Sequence, residues 1–172
     1  MRRLLLAAAL APAALAAQWR VSVEPGNSTR AAAVLAVARE VSDGVTADEP
    51  AVSMIVRCSG RVLDAYITTR DALDSDTNGD VKIRVEADSV RPRDTRWQAS
   101  KSNGGAFVPT PELRDLIQRG ILHSRTLRIS TQTLKRGRVT YEFPVANFRQ
   151  ALDALRDACP NDRGGALAEP RR

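Results

Sequence analysis

Few side chains in this sequence could carry chemistry. There are two cysteines, Cys58 and Cys159, and one histidine, His123. Three such residues are too few for a zinc site of the usual Cys and His ligands. A catalytic thiol needs a base beside it, and no pairing motif surrounds either cysteine. His123 follows Gly120 at the exit of an expected helix and reads as a surface or cap residue, with no motif-level partner for acid–base work. Asp74, Asp76, Asn78 and Asp80 alternate as calcium ligands do, with Gly79 at the sixth position. The twelfth position, where an EF-hand places Glu, holds Val85. A turn rich in Asp and Asn needs no metal. No Glu stands in an apolar context suited to glycoside cleavage. The expectation is a chain without catalytic residues, metal or cofactor, acting through its surface. Arg91, Arg93 and Arg96 form the densest basic cluster, followed by Trp97 and by Lys101 and Asn103 in a turn. A solvated loop is one reading of this cluster and a partner-binding surface the other.

The segment that precedes all of these sets their compartment. Arg2 and Arg3 stand before an apolar run, residues 4–17, that closes on Ala14, Leu15, Ala16 and Ala17. A charged start, an apolar middle and small residues at the end make a secretory signal peptide, residues 1–17, cut after Ala16 or Ala17. The run is shorter than the roughly 20 residues that span a bilayer, so no stable membrane anchor is expected. Without Arg2 and Arg3 the net charge falls from +6 to +4. That excess is dispersed, and it argues for neither a nucleic-acid nor a membrane partner.

Export would place both cysteines in an oxidising, periplasmic compartment. Val52, Met54, Val56 and Cys58 share one face of a strand. Phe148, Leu152, Leu155 and Cys159 form one stripe of a helix. Each cysteine ends a core-facing row, which predicts a Cys58–Cys159 bridge, with two buried free thiols as the alternative.

The rest of the mature chain reads as short strands and turns. Strands are predicted at 18–24, 52–58, 61–69, 81–87, 97–100, 106–108, 125–133 and 138–144. Residues 30–41 fit a helix or a strand; the strand is preferred because it can pair with 52–58 as a hairpin. Within 81–87, Val81, Ile83 and Val85 point inward and Lys82, Arg84 and Glu86 outward. The basic, Pro-containing run 89–95 is expected as a loop. An internal helix is expected with Thr110 as cap, Pro111 at its first position and Gly120 at its end. Asn147 and Gln150 suggest a capping box for a closing helix. Domain 18–160 is therefore predicted as mainly β (α+β), an antiparallel β-sandwich of about seven to nine short strands with one internal and one C-terminal helix. Residues 161–172 are expected as a disordered polar tail.

In that order the chain resembles the VasI/TagO family of exported proteins associated with type VI secretion. The resemblance rests on a first strand with Trp19, a strand ending in Arg57 and Cys58, then Arg96 and Trp97. It continues with Ala106, Phe107, Val108 and Pro109, a Leu-rich helix, an arm ending in Phe143 and a closing helix ending in Cys159. It implies an accessory periplasmic protein that binds a partner of the secretion apparatus or cell envelope, and it supplies no catalytic residue. The contact region expected is the 91–97 loop with the 101–105 turn, through Arg91, Arg93, Arg96, Trp97, Lys101 and Asn103. A second reading is an inhibitor of a cell-wall hydrolase, its protruding basic loop plugging an acidic cleft.

Overall fold

The structure is a computed structural model that describes residues 19–24, 30–36, 39–40, 52–60, 62–88 and 90–160. The expected leader, 1–17, and the expected tail, 161–172, lie outside the described residues. The chain is mainly antiparallel β with two helical segments. Its strands are β1 (Arg20–Val23), β2 (Arg30–Ala36), β3 (Arg39–Glu40), β4 (Val52–Ser59), β5 (Val62–Thr69), β6 (Asp80–Ala87), β7 (Val90–Ala99), β8 (Gly105–Phe107), β9 (Thr126–Thr133) and β10 (Gly137–Pro144). Helix α1 (Thr110–Asp115) continues as a π-helical stretch (Leu116–Ile121), and α2 (Phe148–Ala158) closes the domain.

All ten strands belong to one ladder, in the order β1-β2-β4-β5-β8-β7-β6-β9-β10-β3. β3 ends this order on one side and β2 stands next to its other end. Only two residues separate β2 from β3 in the chain. At 3.8 Å per Cα step, Ala36 of β2 and Arg39 of β3 lie within about 11 Å. The sheet therefore bends round on itself. Where a sandwich of two sheets was expected, the strands form one continuous ladder around a single core.

Alternation decides what enters that core. β4 buries Val52, Met54, Val56 and Cys58 at 0–2% exposure and leaves the residues between them partly exposed. β5, β6, β9 and β10 repeat the pattern. Of the ambiguous 30–41 segment, 30–36 and 39–40 are extended, and Ala31 and Ala33 of β2 pair with Cys58 and Val56 of β4. Methyl groups at this point leave room for α2, which packs Phe148, Leu152 and Leu155 onto the same inner face. The Trp19 and Phe148 rings lie 4.5 Å apart and fix the start of that helix. Its end is fixed covalently. Cys58 and Cys159 are disulfide-bonded with Cα atoms 6.0 Å apart, and both are buried. No helix among the described residues is long and apolar enough to cross a membrane.

Four local expectations are corrected. Over its described residues, 90–95, the expected loop is a strand: β7 extends over Val90–Ala99, paired with β6. Pro92 signalled a break, but the ladder shifts register between Val85 and Ala87, and a bulge absorbs it. The internal helix is capped by Pro109, with Thr110 and Pro111 as its first helical residues and no side-chain cap bond. It runs through Gly120 to Ile121 instead of stopping there, because the wider π turn keeps Ile117 and Ile121 both in the core. Asn147 adopts left-handed backbone (φ 67°), and its side chain caps nothing, so the capping box does not form.

Candidate binding faces

The six residues expected to make one contact surface are distributed over the molecule. The strand that replaces the loop points successive side chains to opposite faces. Arg93 and Thr95 turn toward α1. The Arg93 guanidinium pairs with Asp115 at 3.4 Å, and Thr95 donates to the Glu112 carboxylate. Arg96 points outward and pairs with Asp76 at 2.9 Å. Arg91 is exposed at the bulge. Trp97, at 1% exposure, belongs to the core beside Val81 and presents no side chain to a partner, which corrects its expected contact role. Lys101 and Asn103 lie in the turn beyond the far end of β7. Asn103 takes left-handed backbone there (φ 54°), and its carbonyl accepts the Leu73 N–H at 2.8 Å. At about 3.3 Å per residue, Arg91 and Lys101 stand roughly 30 Å apart along the strand. The protruding plug that the inhibitor reading required is a paired strand.

Two outward faces carry the residues that could bind. On the first, Ile55 of β4 pairs with Tyr66 of β5, and Tyr66 pairs with Phe107 of β8. All three stand on the side opposite the core and are half-buried. The Tyr66 and Phe107 rings are 5.0 Å apart. The Arg57 guanidinium lies 5.3 Å from the centroid of the Tyr66 ring. It is held by two bonds to Asp64, at 3.1 and 2.6 Å. The hydrogen bond to Asp64 raises the Arg57 pKa above its ordinary value, so this cation is permanent.

The second face is the outer side of β7, β6, β9 and β10. Its cross-strand partners form rows. Asp94 faces Arg84, which faces Ser130, which faces Thr140. Glu86 faces Arg128, which faces Glu142. Both rows are internally paired: Arg84 reaches Glu86 and Asp94 at 3.0 and 3.1 Å, and Arg128 reaches Glu142 at 2.8 Å. The third row runs from Arg96 to Lys82 and, by the same register, on to Gln132 and Arg138. A groove of about 500 Å³ follows it. Beside Arg96, the tight turn at Asp76 is rigid. One Asp76 oxygen accepts the Asn78 and Asp80 N–H groups at 2.9 and 3.0 Å. The Asp80 N–H, then that of Asn78, and then Arg96 keep the Asp76 carboxyl below the usual carboxylate range. The residues that resembled a calcium loop thus hold a turn together with their own backbone.

The sequence separated inward from outward side chains in β6, so Lys82 was identifiable as an outward residue. The assembly of outward residues into rows depends on which strands are neighbours, and no local pattern encodes that. No protein-family model, no curated protein and no solved structure matches this chain.

Proposed function

We propose that the protein is exported and acts as a non-enzymatic protein-binding module of the cell envelope, in the type VI secretion setting that its resemblance to the VasI/TagO family implies. The observation that carries this reading is the outward row Ile55, Tyr66 and Phe107 beside the clamped Arg57. Tyrosine and arginine held in fixed rotamers on a rigid sheet are the residue types that dominate binding at protein interfaces. The Tyr66–Phe107 pair also steadies the β5–β8 ladder, and it leaves the outer faces of both rings available to a partner. The buried Cys58–Cys159 bridge supports export, since such bonds persist in oxidising compartments.

The test is site-specific photo-crosslinking from position 107 in cells that produce the protein. One discrete adduct is expected, lost when Tyr66 is replaced by Ala and kept when the crosslinker is moved to Arg149 on α2 only at background level. Equal labelling from both positions would overturn the reading. Intact mass of the mature product tests export directly: a chain starting after Ala16 or Ala17, with neither sulfur open to alkylation, is the expected species.

A further inference from the structure

The second outer face differs from the first in what it leaves unsatisfied. Arg84, Arg93, Arg96, Arg128 and Arg136 all have a carboxylate partner within 3.4 Å. Lys82 and Arg138 are exposed, and among the described residues neither makes an ion pair or side-chain hydrogen bond. Both stand in the Arg96 row, which crosses four strands at about 4.8 Å per strand. That row alone, of the three on this face, carries cations with too few acids to match them. The groove follows its length, floored by the Ser130 and Gln132 positions of β9.

We infer that this groove docks an acidic segment of a partner protein, laid across the strands so that its carboxylates meet Lys82, Arg96 and Arg138. The inference rests on the protein-binding reading and names the chemistry of the partner. Charge complementarity selects the occupant. The cationic strip is one row wide; the neighbouring row holds Asp94 paired with Arg84, then Ser130 and Thr140, and the row beyond it ends in Glu86 and Glu142. A long phosphate polymer that ran past the strip would meet those carboxylates. A peptide with a few acids, followed by neutral or basic residues, matches the strip and what lies beside it. Such a contact would speed association and select the partner more than it adds affinity, and it would weaken with salt.

The experiment uses the mature protein and two probes of similar charge, a peptide of four glutamates followed by four glutamines and a short inorganic polyphosphate, followed by fluorescence anisotropy at low and physiological salt. The peptide is expected to bind at low salt and to weaken as salt rises. Lys82→Glu with Arg138→Glu should weaken it by about tenfold or more. The neutral pair, Lys82→Gln with Arg138→Gln, should give a smaller loss and guards against a misfolded reversal variant. Arg149→Glu on α2 should change nothing. Unchanged affinity in both double variants overturns the inference, as does polyphosphate binding more tightly than the peptide. If the adduct from position 107 persists under either of those results, this inference fails alone. If the unmodified protein gives no adduct at all, it is the protein-binding reading that fails.

Discussion

The two outer faces sit on the same ladder and cover the same core, yet they are built differently. On β4, β5 and β8 the outward residues include Ile55, Val62, Tyr66 and Phe107 with a single clamped ion pair, beside small hydroxyls such as Ser53 and Thr68. On β7, β6, β9 and β10 they are mostly charged or polar. The inward residues of both halves are mostly aliphatic, with the buried rings Trp97, Tyr141 and Phe143 on the charged half and smaller residues such as Ala65 and Ala106 on the other. Packing determines the inside and leaves the outside free. The outside is therefore where a partner's chemistry is written, and the two halves are written for different contacts. Area burial suits the first, steering the second.

They also differ in what holds them. The aromatic half is tied through β4 to α2 by the disulfide, while the charged half relies on its hairpins and on the π-helical stretch packed against β6 and β9. Removing the tie should expose that asymmetry and has the largest expected effect. A bond between residues 101 apart in sequence removes loop entropy from the unfolded chain worth about 4–5 kcal/mol. Cys58→Ala with Cys159→Ala should lower the melting temperature by roughly 10–20 °C. Hydrogen exchange should quicken first in β2, β4 and α2, and only later in β6, β9 and β10. Uniform loss of protection would mean that the two halves are one cooperative unit and that the contrast is confined to their surfaces.

Much of this architecture was legible in the sequence, for a physical reason. A strand half-buried on one face must alternate, and 81–87 and 138–144 do so, as does 52–58 but for Ile55 on its outer side. The pairing of Cys58 with Cys159 followed because each ends a core-facing row. The 30–41 segment shows the limit: alanine favours helix locally, and only its position across β4 decided for strand. The 89–95 run shows another. Proline and arginine mark a loop, yet a bulge in the β6–β7 ladder accommodates Pro92 inside a strand. That one misreading dispersed the whole expected contact surface, since a strand sends Arg93 and Arg96 to opposite faces. Neither outward row could be read, because β5 meets β8, and β6 meets β9, only in three dimensions.

The next effect in size belongs to the aromatic half. Phe107 is brought to Tyr66 by β8, a three-residue strand that begins at Gly105. A Cβ at that glycine would lie 2.5 Å from the Ile67 carbonyl oxygen, a backbone atom that cannot swing aside. Gly105→Ala should therefore cost about 2 kcal/mol by forcing β8 away from β5. Crosslinking from position 107 should fall with it, while binding of the acidic peptide to the charged half should hold. Loss of both would couple the two faces.

Smaller still is the difference between the ion pairs of the two faces. Arg57–Asp64 is braced by the Tyr66 ring, whereas Arg128–Glu142 lies in the open. Both are partly exposed, so each should contribute under about 1 kcal/mol. A double-mutant cycle to Ala should give the larger coupling at Arg57–Asp64, and that coupling should shrink in Tyr66→Ala. Salt should erode the Arg128–Glu142 coupling more, since its arginine is the more exposed of the two. Equal couplings would remove the aromatic ring from any part in holding the arginine.

The smallest effect is a pH dependence at the border of the charged face. Asp76 is held below the usual carboxylate range chiefly by the Asp80 N–H, with Asn78 and Arg96 adding to it. A carboxyl lowered in the folded state binds its proton more readily when unfolded. Its contribution to stability is therefore complete above the unfolded value and is lost as pH falls through the folded one. The stability difference between the protein and Asp76→Asn should be constant at neutral pH and should shrink only in acid, below the ordinary carboxylate range. Protonation also releases Arg96 from its acid at the end of the cationic row. Asp76→Asn should accordingly bind the acidic peptide slightly more tightly than the unaltered protein at neutral pH. A variant that binds more weakly would show that the turn positions Arg96 for the groove and does not merely compete for it.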